Sequence, residues 1–286
     1  MPQVIKQTAR PGEPQQSILS KIRPVSQQTQ GIKLCLYGRG KTGKTRLACT
    51  FPKPILIMGT EDGTKSVKSS KDTFIAQVER SLEVDELAEY AKTRYTTVVL
   101  DTAGGLQDLI LKEVLGLDNI PVQKGWGFAR REDWATTGMQ IKERLRSVLT
   151  LADQGINVVI IAHERSFNNE EASQETVVPS IGAAISPTSA NWLNGACDYI
   201  CQAFIRQHEG ISKQTIGVGK DATVISTKTL TGKMEYCLRI GPHPIYATGF
   251  RLDVGAELPD SIVLDQSLGD KMGYQQILAL IEGRKL

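Results

Sequence analysis

The sequence predicts an α/β fold: a mostly parallel central sheet flanked by helices, followed by a β-rich C-terminal extension. Three observations predict it. From Gly31 onward, apolar runs alternate with amphipathic segments, the rhythm of a parallel sheet covered on both faces. A glycine-rich stretch, Gly38 to Thr45, joins the first apolar run to a segment able to start a helix. Beyond about Gln207 the composition changes to short Thr-, Val- and Gly-rich segments. The expected organisation is a polar tail over 1–30, an α/β core over 31–206 and an extension over 207–286.

Taken in order, the tail is rich in Gln, Pro and Ser and reads as flexible, with Ile18-Leu19 and Ile22 as its apolar cluster. Ile32 to Tyr37 is the first strand, and Pro54 to Met58 the second, ending in Gly59-Thr60-Glu61-Asp62-Gly63. Thr73 to Val78 reads as a third. Leu82 to Lys92 places Val84, Leu87, Ala88 and Ala91 on one helical face, with acids early and Lys92 late, as the helix dipole favours. Thr96 to Leu100 is a buried strand ending at Asp101-Thr102. Leu106, Leu109, Ile110 and Val114 mark the next helix, and Gly116 caps it.

Leu117 to Asp133 breaks the rhythm, with Lys124, Arg130 and Arg131 beside Trp126 and Phe128. Ile141, Leu145, Val148, Leu149 and Ala152 then define a long helix. Ile156 to Ala162 is another buried strand, closed by His163, and a polar loop runs from Glu164 to Ser189. Asp198 to Ile205 is the last strand of the core. In the extension, Val224 to Thr229 and Met234 to Ile240 read as a hairpin separated by Gly232, and Tyr274, Ile277, Leu278 and Ile281 as a short closing helix.

Composition excludes several classes. Hydrophobic residues at 40% and charged residues at 23% are ordinary for a soluble globular chain. No apolar run approaches the ~18 residues of a membrane span, and the polar start has no signal-peptide core. The five cysteines include no C-x-x-C pair, and none of the three histidines lies near a cysteine cluster, which argues against a zinc site. A reducing, cytoplasmic compartment is expected. The net charge of +3 resides in the tail, where Lys6, Arg10, Lys21 and Arg23 stand against Glu13, so residues 31–286 balance to zero. Nucleic acid would therefore have to be drawn by local patches rather than by the overall field.

The stretch Gly38-Arg39-Gly40-Lys41-Thr42-Gly43-Lys44-Thr45 fits the phosphate-binding pattern G-x-x-x-x-G-K-[ST] in its strand–loop–helix context. Its glycines let successive N–H groups point inward at phosphate oxygens, and the helix start adds its dipole. Gly38, Arg39, Gly40, Lys41, Thr42, Gly43, Lys44, Thr45 and the following Arg46 are the candidate nucleotide contacts. Lys44 would reach the β- and γ-phosphates of ATP, and Thr45 would ligate Mg²⁺. The same glycines satisfy G-x-G-x-x-G with Glu61 about 20 residues on, but a dinucleotide site gives no role to Lys44-Thr45.

Two further acids complete the site. Asp101, ending a buried strand, is the candidate second Mg²⁺ ligand. Thr102 occupies the next position, where many ATPases of this type carry the catalytic Glu. Glu61 is then the candidate carboxylate that orients or deprotonates the attacking water, with Asp62 as fallback. Asp101-Thr102-Ala103-Gly104 also resembles a GTPase switch, yet the later strand ends in His163-Glu164-Arg165 rather than N-K-x-D. His163 is a candidate γ-phosphate sensor. Lys228, Lys233, Arg239 and Arg251 are candidates for a charge donated to a neighbour's ATP.

Together the P-loop, Glu61 after the second strand, Asp101-Thr102 and His163 make the chain resemble RecA-like ATPases over Gly31 to Ile205, specifically the small phage-type ATP-binding family. The resemblance implies an ATPase with ATP and Mg²⁺ as cofactors, acting as a homo-oligomer on single-stranded DNA in recombination or replication by strand annealing. A single-strand-binding protein is among the partners it admits. It also implies that the loop after His163, and the segment before Asp133 with Trp126 and Phe128, face DNA. The alternative function is a nucleotide-dependent switch or assembly ATPase acting on proteins.

Overall fold

The structure is a computed structural model that describes residues 30–61, 67, 70–117, 129–168, 178–216, 223–252, 257–264 and 273–284. The tail and the Lys124, Trp126 and Phe128 segment lie outside the described residues. Among those described, one nine-stranded sheet runs in the order β11-β9-β8-β1-β5-β4-β2-β3, with β10 paired to β8. The strands β1 (Lys33–Gly38), β2 (Ile55–Gly59), β3 (Thr73–Gln77), β4 (Thr97–Asp101) and β5 (Asn157–Ala162) are mutually parallel. This is the expected α/β arrangement, a mostly parallel sheet flanked by helices, with antiparallel strands added at the C-terminal side.

Burial explains why these runs are strands. β1, β2, β4 and β5 are buried along nearly their whole length, as strands covered on both faces must be. One apolar cluster lies beneath the helices α2 (Glu83–Ala91), α3 (Ala103–Leu115), α4 (Arg131–Leu149) and α5 (Pro187–Ala196). The other lies beneath α1 (Lys44–Ala48) and α6 (Tyr274–Ile281). At about 25 cal/mol per Å² of buried apolar surface, these two layers supply most of the drive to fold. The five cysteines are free and buried, and burial pushes the Cys35 thiol up to about 12, which makes it inert.

α3 starts at its predicted acid-end boundary because Thr102 caps it, its hydroxyl accepting from Gly105 N at 3.0 Å. Gly116 ends it in the left-handed conformation (φ 63°), as expected. α4 begins ten residues before the apolar positions that announced it. Asp133 accepts from Arg130 N at 2.7 Å there, a capping signal inside a stretch that reads as irregular. α5 starts in the last three residues of the expected polar loop and runs on through residues 190–196, to which the sequence reading gives no element, although Ser186 followed by Pro187 at the first helical position is its signal.

The hairpin differs most from expectation. β8 (Tyr199–Ile216) and β9 (Thr223–Arg239) pair antiparallel over most of their length, so Val224 to Arg239 is one strand rather than two. Gly232 (φ 77°) faces a register shift between Gln207 and Glu209 and marks a β-bulge, not the turn. The lower part of β8 pairs parallel to β1, Gly38 standing opposite Ala203. The core sheet thus continues directly into the extension, where β10 (Gly249–Phe250) and β11 (Ser261–Val263) complete it. No helix among the described residues is long and apolar enough to cross a membrane.

Candidate active site

The site lies at the C-terminal ends of β1, β4, β2 and β5, where a parallel sheet opens its crevice. β1 delivers the chain to Gly38, and the loop then turns through Lys41 (φ 65°) and Gly43 (φ 84°) into α1. Alternating left- and right-handed residues of this kind turn backbone N–H groups to one side, which suits a chain of phosphates. Gly43 caps α1 with no side-chain bond of its own, leaving the first N–H groups of that helix for a ligand.

Lys44 is 7% exposed and spans this loop, its Nζ donating to Gly38 O at 2.9 Å and to Arg39 O at 2.7 Å. Burial lowers its pKa, and the carboxylates of Asp101, Glu164 and Glu61 oppose that shift. The ammonium is therefore held ready beneath the loop by carbonyls that an anion can replace. Thr45 Oγ1 donates to Asp101 Oδ2 at 2.7 Å. Burial raises the Asp101 carboxyl, the Thr45 bond opposes this, and Glu61 adds to it. Two hard oxygen ligands held side by side fit Mg²⁺, which takes one or two protein oxygens and completes its shell with phosphates and waters.

Glu61 comes to the site from the end of β2. β2 and β4 pair up to Gly59 and Asp101, and Thr60 N extends the ladder by donating to Asp101 O at 2.8 Å. Thr60 Oγ1 accepts from Thr102 N and donates to Thr102 O, both at 2.9 Å, so the two strand ends are locked together. Thr102 Oγ1 then donates to Glu61 Oε1 at 2.6 Å. The second oxygen, Oε2, stands 3.3 Å from His163 Nε2. Gly105 allows this closeness, since a Cβ there would stand 2.3 Å from Thr60 Oγ1 and 3.2 Å from Glu61 Cγ. The structure thus brings Lys44, Thr45, Asp101, Glu61 and His163 into one cluster, while Asp62 lies outside the described residues.

A second set of contacts was not apparent from the sequence. Glu164 accepts from Arg39 Nε at 2.8 Å and from Gln202 Nε2 at 2.9 Å, and Gln202 Oε1 accepts from Arg239. The Arg239 guanidinium stacks on Phe204 at 4.5 Å and on Tyr246 at 4.1 Å. A P-loop residue is thereby tied to the base of the β8–β9 hairpin. Their only signal was a polar Gln202 and charged Arg239 inside strand patterns. Arg239 is engaged within its own chain, and so is Arg251, which donates to Asp198 Oδ1 at 2.7 Å and to Gly195 O at 2.6 Å. Lys233 is exposed.

Of the expected DNA-facing loop, β6 (Glu164–Ser166) and β7 (Ile181–Ala183) are described, forming a small antiparallel pair. His163 is joined to it directly, because Ala184 N donates to His163 O at 2.8 Å. Between this pair and α5 lies a cavity of about 570 Å³, lined by Arg165, Phe167, Asn168, Pro179, Asn191 and Asn194 among others.

A family model described as an AAA domain (AAA_24) matches residues 30–233. No curated protein matches the chain. Among solved structures, the flagellar accessory protein FlaH from Methanocaldococcus jannaschii is similar at a TM-score of 0.36 and 8% identity, covering 82% of this chain and 85% of that one.

Proposed function

This chain belongs to the AAA domain family AAA_24; on that premise we propose that it is a P-loop ATPase that hydrolyses ATP, with Glu61 as general base, to act on single-stranded DNA. The observation that carries the chemistry is the Glu61 carboxylate, fixed at Oε1 by Thr102 and facing His163 at Oε2. Each carboxylate oxygen has two lone pairs, so a carboxylate oriented by one neighbour at each oxygen still has lone pairs to accept a proton from a water.

The roles follow from the contacts. Gly38 to Arg46 cradle the phosphates through backbone N–H groups, and Lys44 exchanges its two loop carbonyls for β- and γ-phosphate oxygens. Thr45 and Asp101, held together by their hydrogen bond, would hold Mg²⁺, which when bound would neutralise charge developing on the phosphates. Glu61 orients the attacking water and takes its proton. His163, within reach of Glu61 and bonded through its carbonyl to Ala184, relays the state of the site to the β6–β7 loop.

Support for a DNA substrate is the position of that loop, which the resemblance to phage-type recombination ATPases makes the DNA-contacting one. Arg165 packs on Phe167 there with its guanidinium 5.8 Å from the ring centroid, a cation and an aromatic face in the lining of the cavity. The test is ATP hydrolysis with and without single-stranded DNA, in the wild type and in Glu61→Gln. Stimulation by DNA, lost in Glu61→Gln by about 10²–10⁴-fold in kcat while ATP still binds, supports both assignments. Unchanged hydrolysis in the variant removes Glu61 from the role. Hydrolysis indifferent to DNA, with no binding at low salt, favours the protein-directed switch instead.

A further inference from the structure

Every group with a chemical task lies to one side of β1: His163 after β5, Asp101 on β4 and Glu61 after β2. On the other side stand β8 and β9, and there an aromatic ring lies against the phosphate loop. A Cβ added at Gly43 would meet Tyr236 Cδ1 at 3.7 Å, so this ring rests beside the residue that precedes Lys44. Tyr236 is half-buried, and Ile205 stands directly opposite it in the ladder.

The surroundings of Tyr236 change character along the strand. One pair further down the same face, Ala203 and Leu238 are buried in the core beneath α1. At the level of the loop the strip emerges from the core, with Ile205 39% exposed. Met234, two residues along β9 and so on the same face, is 58% exposed. Tyr236, Ile205 and Met234 thus form an open apolar strip that abuts the P-loop. Exposed apolar surface grouped beside a ligand loop marks a place where something docks.

A nucleoside triphosphate carries charge at one end and a flat π-system at the other. A γ-phosphate turned toward Glu61 and His163 would leave the base end of the nucleotide to the other side of β1, where β8 and β9 stand. We infer that Tyr236, flanked by Ile205 and Met234, is the platform on which the purine base of the bound nucleotide stacks. The inference rests on the P-loop reading above and names the base end of the same site. Stacking engages the face of a base rather than its hydrogen-bonding edge, so the platform serves adenine and guanine alike.

The experiment measures Mg²⁺-dependent binding of ATP, GTP and inorganic tripolyphosphate to the full chain by calorimetry. Tyr236→Ala weakens ATP and GTP binding by about tenfold or more, the loss of one aromatic–base stack, and leaves tripolyphosphate binding unchanged. Tyr236→Phe keeps wild-type ATP affinity. At saturating ATP, kcat is unchanged and only KM rises, because the ring contributes equally to ground and transition states. Ile205→Ala, at a partly exposed position that tolerates truncation, shows a smaller loss of the same pattern, which keeps the test open if Tyr236→Ala folds poorly. Unchanged ATP affinity in Tyr236→Ala overturns the inference, as does an equal loss for tripolyphosphate, which would make the ring a brace for the loop. Lys44→Ala is the control for the underlying reading. Wild-type binding of ATP and tripolyphosphate to that variant would remove the P-loop assignment itself, independently of Tyr236.

Discussion

Thr102→Ala tests the central joint of the site, because one hydroxyl serves both the fold and the chemistry. Thr102 is 3% exposed and its Oγ1 does two things: it accepts from Gly105 N at 3.0 Å as the cap of α3, and it donates to Glu61 Oε1 at 2.6 Å. Losing the cap costs about 1 kcal/mol. Removing the buried methyl costs about another 0.8 kcal/mol. The Glu61 carboxylate is 42% exposed in its side chain, so water replaces the lost donor and little is added to the stability cost. For a chain of this size about 2–4 °C of Tm follows each kcal/mol, so a fall of roughly 4–7 °C is expected by calorimetry.

The catalytic effect is separate. A hydrogen bond to a charged group contributes about 1.5–3 kcal/mol, and releasing the carboxylate from its orientation lowers kcat by about 10- to 100-fold. ATP affinity, carried by the P-loop, stays within about twofold of the wild type, since no P-loop contact is touched. Thr102→Ser keeps the hydroxyl and recovers kcat, while part of the Tm loss remains with the missing methyl. Full kcat in a folded Thr102→Ala protein would refute the claim that Thr102 holds Glu61 in position. A kcat loss that Thr102→Ser does not rescue would refute it equally.

Two other substitutions probe the same junction. Gly105→Ala places a Cβ 2.3 Å from Thr60 Oγ1, forcing apart the locked strand ends; a loss of about 1–3 kcal/mol in urea unfolding and a drop in kcat are expected together. In Asp101→Asn, measured without ATP or Mg²⁺, Tm is higher than in the wild type, by about 2–4 °C for each kcal/mol relieved. Burial holds the folded Asp101 carboxyl above its unfolded pKa, so it binds its proton more tightly in the folded state. The wild type therefore loses stability as pH rises from the ordinary carboxylate range through the raised value, and the variant lacks that slope. A wild-type pH dependence in Asp101→Asn would show that the cost arises elsewhere. The same variant loses Mg²⁺-dependent hydrolysis.

Much of this protein is written in local patterns. The P-loop is contiguous, so its eight residues, and the roles expected of Lys44 and Thr45, follow from sequence alone. Buried strands such as Val98-Val99-Leu100-Asp101 announce themselves as apolar runs ending in an acid, and Gly116 announces the end of a helix, because periodicity and capping act within a few residues. Gly232 was ambiguous for the same reason: a positive-φ residue serves a turn and a bulge equally, and only the pairing of β9 with β8 separates them. Tertiary structure alone decided what meets what. Glu61 and Thr102 are 41 residues apart and Glu61 and His163 are 102 apart, yet they share hydrogen bonds because β2, β4 and β5 lie side by side in the sheet. The ties from Arg39 through Glu164 and Gln202 to Arg239, and the seat of Tyr236 against Gly43, likewise depend on β8 and β9 lying beside β1. Strand order is set by the packing of whole faces against helices, and no residue carries it in its own neighbourhood.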